Sequence, residues 1–229
     1  MNLRNFYLRQ FELSRMLTDE QLTILGENLT LKESSKKDVI YSEGGDNKIY
    51  LLVNGKVKIT EIKSDGCEYI KFICATGDVF GDIYLNNSNS KLEFAEVLTN
   101  KASYYIINKP KLIQLLQSSA LLAFNYAATI CSRSKRIENF LLNMKQKDVR
   151  ARLEFYLNDL AQREGRKIEN MIVVKNSLTH EDLANIISSS RQTVTLVLNE
   201  LKESGIIKYT RNEIKFITGS ISTKQTLPI

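Results

Sequence analysis

Between Val39 and Ile107 short β-rich runs alternate with turn-forming pairs, and from Pro110 onward the texture becomes helical. The stretch "IYLLVNGKVKIT" sets Asn54-Gly55 between two such runs, and this dipeptide favours the left-handed backbone of a two-residue hairpin. "EIKSDGCEYIKFI" repeats the arrangement with Asp65-Gly66, and "TGDVFGD" and "TNKA" add further turns. Short strands at this spacing predict an antiparallel sandwich or barrel rather than a parallel sheet. Both faces of "YIKFIC" are largely apolar, so some strands are expected to be covered on both sides. Residues 1 to about 35 read as a helical lead-in, with Thr18 as N-cap and Gln21 at the capping-box position.

Pro110 suits a first helical turn. The stretch from about Ser118 to Lys145 then predicts one helix of roughly 27 residues, spanning about 40 Å. Leu121, Phe124, Ala128, Cys131, Ile137, Leu141 and Met144 run along it, with Arg133, Lys135 and Arg136 off that stripe. Such a helix is either core or paired with its copy in a second chain. The second is expected, because no other segment is suited to cover its whole length. "NMKQKD" reads as a polar hinge into the helix "VRARLEFYLNDLAQREG", stopped by Gly165.

Composition narrows the class. The chain has 229 residues, enough for one large domain or two ordinary ones, with 43% hydrophobic and 25% charged residues. No apolar run approaches the roughly 20 residues of a membrane helix, and "MNLRNFYLRQ" lacks a signal-peptide core. A cytoplasmic protein with no membrane association is expected. Cys67, Cys74 and Cys131 lack metal-ligand spacing and cannot all pair within one chain. The single histidine, His180, excludes a two-histidine metal centre within one chain. With no nucleophile–base pair visible, neither an enzyme nor a metal site is expected. Net charge is +6; from Lys145 onward 14 Lys+Arg face 10 Asp+Glu, leaving +4 in the last 85 residues. That tilt suits a polyanionic partner.

The basic end also carries the clearest helical pair. In "LTHEDLANIIS", Thr179 can cap, Asp182 can answer it, and Leu183, Ile186 and Ile187 form an inner stripe, with Ala184 small enough for a close crossing. "SSSR" is a tight turn. In "SSSRQTVTLVLNEL", Val194, Val197, Leu198 and Leu201 form a second apolar stripe. The other face carries Gln192, Thr195, Leu196 and Asn199, with Arg191 at its start. Two short helices and a tight turn make a helix-turn-helix pattern or a plain αα-hairpin. "ESGIIKYTRNEIKFIT" follows as a Gly205 stop and a ribbon turning at Asn212, which favours the first as a winged form. The N-cap of the second helix is Ser189 or Ser190. Ser189 would engage Gln192 in a capping box, whereas Ser190 leaves it free.

The whole chain resembles the cyclic-AMP receptor protein/FNR (Crp/Fnr) family of bacterial transcription regulators. The resemblance rests on "VIYSEGGDNKIYLLVNGKVKI", "TGDVFGDI", the long helix and "LTHEDLANIISSSRQTVTLVLNELKESGIIKY", in that order over residues 10 to 218. It implies an α+β chain: a double-stranded β-helix (jelly-roll) sensor over residues 1–117, a dimerisation helix over 118–145 and a winged helix-turn-helix over 146–229. It also implies a homodimer that binds palindromic promoter DNA and contacts RNA polymerase. Arg191 matches the family's guanine-contacting arginine, while Gln192 and Leu196 stand where many members have glutamate and arginine. Amide, hydroxyl and methyl groups of this kind can read base edges. His180 and Thr193 are expected beside phosphates, and Ser190, Thr195 and Asn199 complete the DNA-facing set.

The sensor is where this sequence departs from the family. Gly81-Asp82-Ile83 fits the stretch that receives a ribose, but Glu93-Phe94 falls where cyclic-AMP-binding members carry an Arg-Ser or Arg-Thr pair that neutralises the phosphate. A carboxylate there has the wrong charge. Ile137 and Glu138 replace small hydroxyl residues expected near adenine, and Lys91, two residues earlier, would compensate for Glu93 only with the loop displaced. No N-terminal cysteine cluster supports an iron–sulfur centre, and His180 is placed at the DNA rather than at a haem. No cofactor is therefore expected, cyclic AMP included, and the effector is unidentified. A sensor module acting through protein–protein contacts is the alternative function.

Overall fold

A computed structural model describes residues 3–42, 47–62, 64, 66, 68–85, 93–145 and 148–217. Cys67, Asp65, Lys91 and residues 146 and 147 of the expected hinge lie outside the described residues. The chain divides into two compact units, Met1–Ile137 and Glu138–Ile229.

The first unit opens with α1 (Leu3–Leu8), a 3-10 turn at Glu12–Ser14 and α2 (Asp19–Glu27). The Thr18 hydroxyl accepts from the Gln21 N–H, and the Gln21 side chain accepts from the Thr18 N–H, so the expected capping box is present. Eight strands follow: β1 (Thr30–Ser35), β2 (Val39–Tyr41), β3 (Lys48–Asn54), β4 (Lys56–Ile62), β5 (Glu68–Ala75), β6 (Val79–Gly81), β7 (Glu93–Val97) and β8 (Lys101–Asn108). They form two antiparallel sheets, β1-β8-β3-β6 and β2-β7-β4-β5. The helical lead-in is thus shorter than expected. "TLKESS" is β1, an edge strand against β8 that is too polar to show an alternating pattern.

Two readings of the strands are corrected. Asn54-Gly55 is not a hairpin: β3 pairs with β6 and β8, β4 with β5 and β7, and the dipeptide carries the chain from one sheet to the other. Gly55 is required there, because its φ is +101° and a Cβ would sit 2.7 Å from Thr99 Oγ1. The turn through Gly66 does join paired strands, β4 and β5. Second, "YIKFIC" is β5, an edge strand buried only at Ile73 and Cys74. β3, like β8, is covered on both sides. Tyr50 and Leu52 face the other sheet with Val57, Ile59, Phe80, Val97 and Tyr104. Ile49, Leu51 and Val53 face the helices with Leu22, Leu25, Leu112 and Leu122.

The covering helices include α3 (Lys109–Ser118) and the first turns of α4 (Ala120–Lys145), a 26-residue helix. The two are separated at Ser119, whose extended backbone ends α3 and whose hydroxyl accepts from the Leu122 N–H. No helix among the described residues is long and apolar enough to cross a membrane.

The second unit contains α5 (Val149–Glu164), β9 (Arg166–Ile168), β10 (Met171–Lys175), α6 (His180–Ile187), α7 (Arg191–Glu203), β11 (Ile207–Tyr209) and β12 (Glu213–Ile217). Asp148 caps α5 through the Ala151 N–H. Gly165 is its C-cap, with extended backbone, and glycine is needed there because a Cβ would lie 2.2 Å from both the Ala161 carbonyl and the Ile172 side chain. The ribbon expected after Gly205 is β11 and β12, extended by β10 and β9 into a sheet ordered β11-β12-β10-β9. Leu153, Leu157, Leu183, Ile187, Val194, Leu198, Leu201 and Phe216 are buried at 2% exposure or less, so three helices and the sheet share apolar side chains.

Candidate functional site

The α6–α7 pair is set by local chemistry at each end. Thr179 accepts from the Asp182 N–H at 3.0 Å, and Asp182 accepts from the Thr179 N–H at 2.9 Å, closing a capping box. The turn passes through Ser188 in the left-handed region (φ 53°), and its carbonyl accepts from Arg152 of α5 at 3.2 Å. Ser190 is the N-cap of α7, accepting from the Thr193 N–H at 3.1 Å, so Gln192 is not drawn into a capping box. Val194, Val197, Leu198 and Leu201 are buried, and Arg191, Gln192, Leu196 and Asn199 are exposed. Leu196 is 60% exposed, unusual for a leucine on a helix with a fully buried opposite stripe.

Thr193 and Thr195 are half-buried and already engaged within the protein. The Thr193 hydroxyl meets Ser190 Oγ at 2.8 Å. The Thr195 hydroxyl donates to the Arg191 carbonyl at 2.8 Å and meets His180 Nδ1 at 2.8 Å. The His180 ring lies 5.5 Å from that of Tyr209 on β11. Burial, with Arg191 nearby, holds the imidazole below its ordinary pKa of 6.5, so the ring is neutral at pH 7.

In the first unit, Glu93 shares the inward face of β7 with Ala95 and Val97. Its Oε1 accepts from the Tyr41 hydroxyl at 2.7 Å and its Oε2 from Lys71 Nζ at 2.8 Å, while Lys71 also lies 3.3 Å from Glu61. Lys71 reaches it through a β-bulge: Ile59 opposes Phe72 and Thr60 opposes Ile70, leaving Lys71 the extra residue. The neighbouring space is filled by stacked rings, Tyr41 on Tyr50 at 5.3 Å and Tyr50 on Phe80 at 5.0 Å. Asp82 pairs with Lys109 Nζ at 2.9 Å, and the Tyr126 hydroxyl donates to the Ile83 carbonyl. Gly81, at φ +88°, has no room for a Cβ against the Lys48 carbonyl.

Phe94, Ile137 and Glu138, expected in the sensor pocket, are not buried. Phe94 alternates to the face of β7 opposite Glu93 and does not share its surroundings. Ile137 is exposed; Arg133 and Arg136 of α4 place their guanidinium carbons 4.6 and 5.3 Å from the Phe72 ring centre. Glu138 is exposed and opens the second unit.

Residues 31–119 match the Cyclic nucleotide-binding domain family, and residues 135–218 match the Crp-like helix-turn-helix domain family. The chain belongs to the Crp/Fnr family. Among its relatives, the Anaerobic regulatory protein of Bacillus subtilis is 23% identical over 195 residues, covering 85% of this chain and 82% of that protein. The CRP-like cAMP-activated global transcriptional regulator of Mycobacterium tuberculosis is 26% identical over 171 residues, covering 74% and 75% respectively. The structure of FixK2 from Bradyrhizobium japonicum has the same fold, with a TM-score of 0.72 and 21% identity over 84% of this chain and 93% of that one. The chain is therefore a Crp/Fnr-type transcription regulator with a helix-turn-helix DNA-binding domain, and these relatives are regulators rather than enzymes.

Within this Crp/Fnr-type chain, α4 presents an apolar row. Leu121 (38%), Phe124 (71%), Ile137 (36%) and Leu141 (58%) are exposed, as is Cys131, while Ala128 and Met144 are half-buried. Leu122 and Tyr126, on the neighbouring face, pack into the first unit. Cys74, by contrast, is fully buried and its thiol pKa is pushed up by burial. Sequence reading missed Tyr41, Lys71 and Lys109. Each joins a carboxylate distant in sequence, and nothing in the local sequence marks such pairs.

Proposed function

We propose that this protein is a homodimeric regulator that reads palindromic promoter DNA through α7 and is not switched by cyclic AMP. The observation that carries the reading is the exposed row Arg191, Gln192, Leu196 and Asn199 on a helix whose opposite stripe is buried. A solvated face would carry mixed charge; this one offers a guanidinium, two amides and a methyl-rich side chain, the groups that bond or touch base edges. Arg191 at the helix start suits a bidentate contact to guanine, and Ser190 and Thr193 lie at the same end, where phosphates bind helix N-termini.

Dimerisation through the α4 row would bring Phe124, Cys131 and Leu141 against their copies and remove large apolar side chains from water. The division of labour follows: a sensor over 1–117, the dimer helix over 118–145 and DNA binding over 146–229. Contact with RNA polymerase and a cytoplasmic location accord with bacterial transcription regulation. The absence of a cyclic-AMP response rests on Glu93, an anion already neutralised by Lys71 and Tyr41 where a ligand phosphate would have to enter.

Selection of bound duplexes from a random pool, with and without millimolar cyclic AMP, tests the reading. A palindromic consensus unaffected by the nucleotide is expected. A chain that retains no duplex would point instead to a sensor acting through protein contacts.

A further inference from the structure

In the second unit, a continuous set of contacts runs from the turn of the ribbon to the first turn of α7. Buried Asn176 ties the turn down. Its N–H donates to the Asn212 carbonyl at 2.8 Å, and its Nδ2 donates to the Arg211 carbonyl at 3.3 Å and to the Tyr209 hydroxyl at 3.0 Å. Its Oδ1 accepts from the Leu178 N–H at 3.1 Å, just ahead of α6. The Tyr209 ring meets the His180 ring, His180 meets Thr195, and Thr195 meets the Arg191 carbonyl.

The direction of these hydrogen bonds fixes the imidazole. A threonine hydroxyl has one proton, and here it goes to the Arg191 carbonyl, so Nδ1 of His180 carries the proton that Thr195 accepts. The ring is neutral, held so by burial and by Arg191, which leaves Nε2 a bare acceptor. A phosphate oxygen is also an acceptor. The imidazole in this state has nothing to donate to it.

Resting on the DNA-binding reading above, we propose that His180 is a positioning residue and makes no phosphate contact. Together with Asn176, Tyr209 and Thr195 it sets the spacing between the first turn of α7 and the ribbon turn. Arg191 and the exposed Arg211 then engage one DNA half-site at the same time. The hydroxyl of Thr195 serves this linkage, which leaves its methyl group to face a base.

Full-length variants on a duplex selected by the unaltered protein separate the two roles of His180. The amide of asparagine ends near the position of Nδ1, and that of glutamine near Nε2. A positioning role predicts that His180→Asn stays within about 3-fold of the parent affinity, while His180→Gln and Thr195→Val each lose about 10-fold. The His180→Gln/Thr195→Val double variant should lose no more than either single one. The slope of log affinity against log salt should fall by about one in the weakened variants, because Arg211 no longer reaches its phosphate. Melting curves establish that each variant is folded. The proposal is overturned if His180→Gln binds well and His180→Asn poorly, if the two losses add, or if the salt slope stays unchanged while affinity falls. A parent chain that binds no duplex overturns the DNA reading itself.

Discussion

Lys71 Nζ lies 2.8 Å from Glu93 Oε2, and the β-bulge that aims this lysine is formed by the lysine itself. Glu93 has 11% of its side chain exposed, and its other oxygen is held by the Tyr41 hydroxyl, so the carboxylate enters the roll with both oxygens satisfied. On the function proposed above, the place of a ligand phosphate in this roll is taken by the protein's own anion. A second negative charge would displace Lys71 or stand beside Glu93 uncompensated.

The buried hydrogen bond from Tyr41 is the more protected half of this arrangement. Tyr41→Phe should lower unfolding stability by about 1.5–3 kcal/mol, the range for a hydrogen bond to a charged group. In a Glu93→Leu background the same change should cost less than about 0.5 kcal/mol. Urea unfolding of the four proteins measures this, and equal costs in both backgrounds would show that Tyr41 acts through its packed ring instead.

Assembly should depend on the α4 row. Phe124→Glu combined with Leu141→Glu is expected to give a monomer in sedimentation velocity, with duplex affinity at least about 100-fold weaker because two half-sites are no longer linked. Sedimentation of this variant as a dimer would place the interface elsewhere.

Ser188 holds a left-handed backbone in the α6–α7 turn without being glycine. Ser188→Gly should raise stability by up to about 1 kcal/mol, since the strain of a Cβ in that region is removed. Loss of stability in thermal unfolding would indicate that the serine side chain contributes more than its backbone costs.

The lowered pKa of His180 gives a sign for pH dependence. Because the unfolded chain binds this proton more readily than the folded one, the second unit keeps its full stability above about pH 6.5 and loses part of it as pH falls below that value. His180→Asn should flatten the slope in that range. An identical slope in the variant would assign the effect to other groups.

What could be read in advance followed from local spacing. Capping boxes at Thr18 and Thr179, the Val194–Leu201 stripe and the α4 row each depend on residues within one or two helical turns, and each is present. The missed features depend on the tertiary path. Asn54-Gly55 has hairpin chemistry, but β3 is drawn into a different sheet because both of its faces are apolar and need cover. Lys71 reads as a polar interruption in "YIKFIC" until the bulge turns it to Glu93. Asn176 and Tyr209 lie 33 residues apart and meet only when β10, β11 and β12 assemble.

The central claim is that the exposed face of α7 reads sequence. The most direct measurement is the set of duplex sequences selected by the parent, by Arg191→Ala and by Gln192→Glu. The account predicts a palindrome with half-site centres about 34 Å apart, one helical turn. Arg191→Ala should lose choice at one position per half-site at a cost of about 1–3 kcal/mol, and Gln192→Glu should exchange an adenine for a cytosine preference at another. Three identical consensus sequences would contradict it.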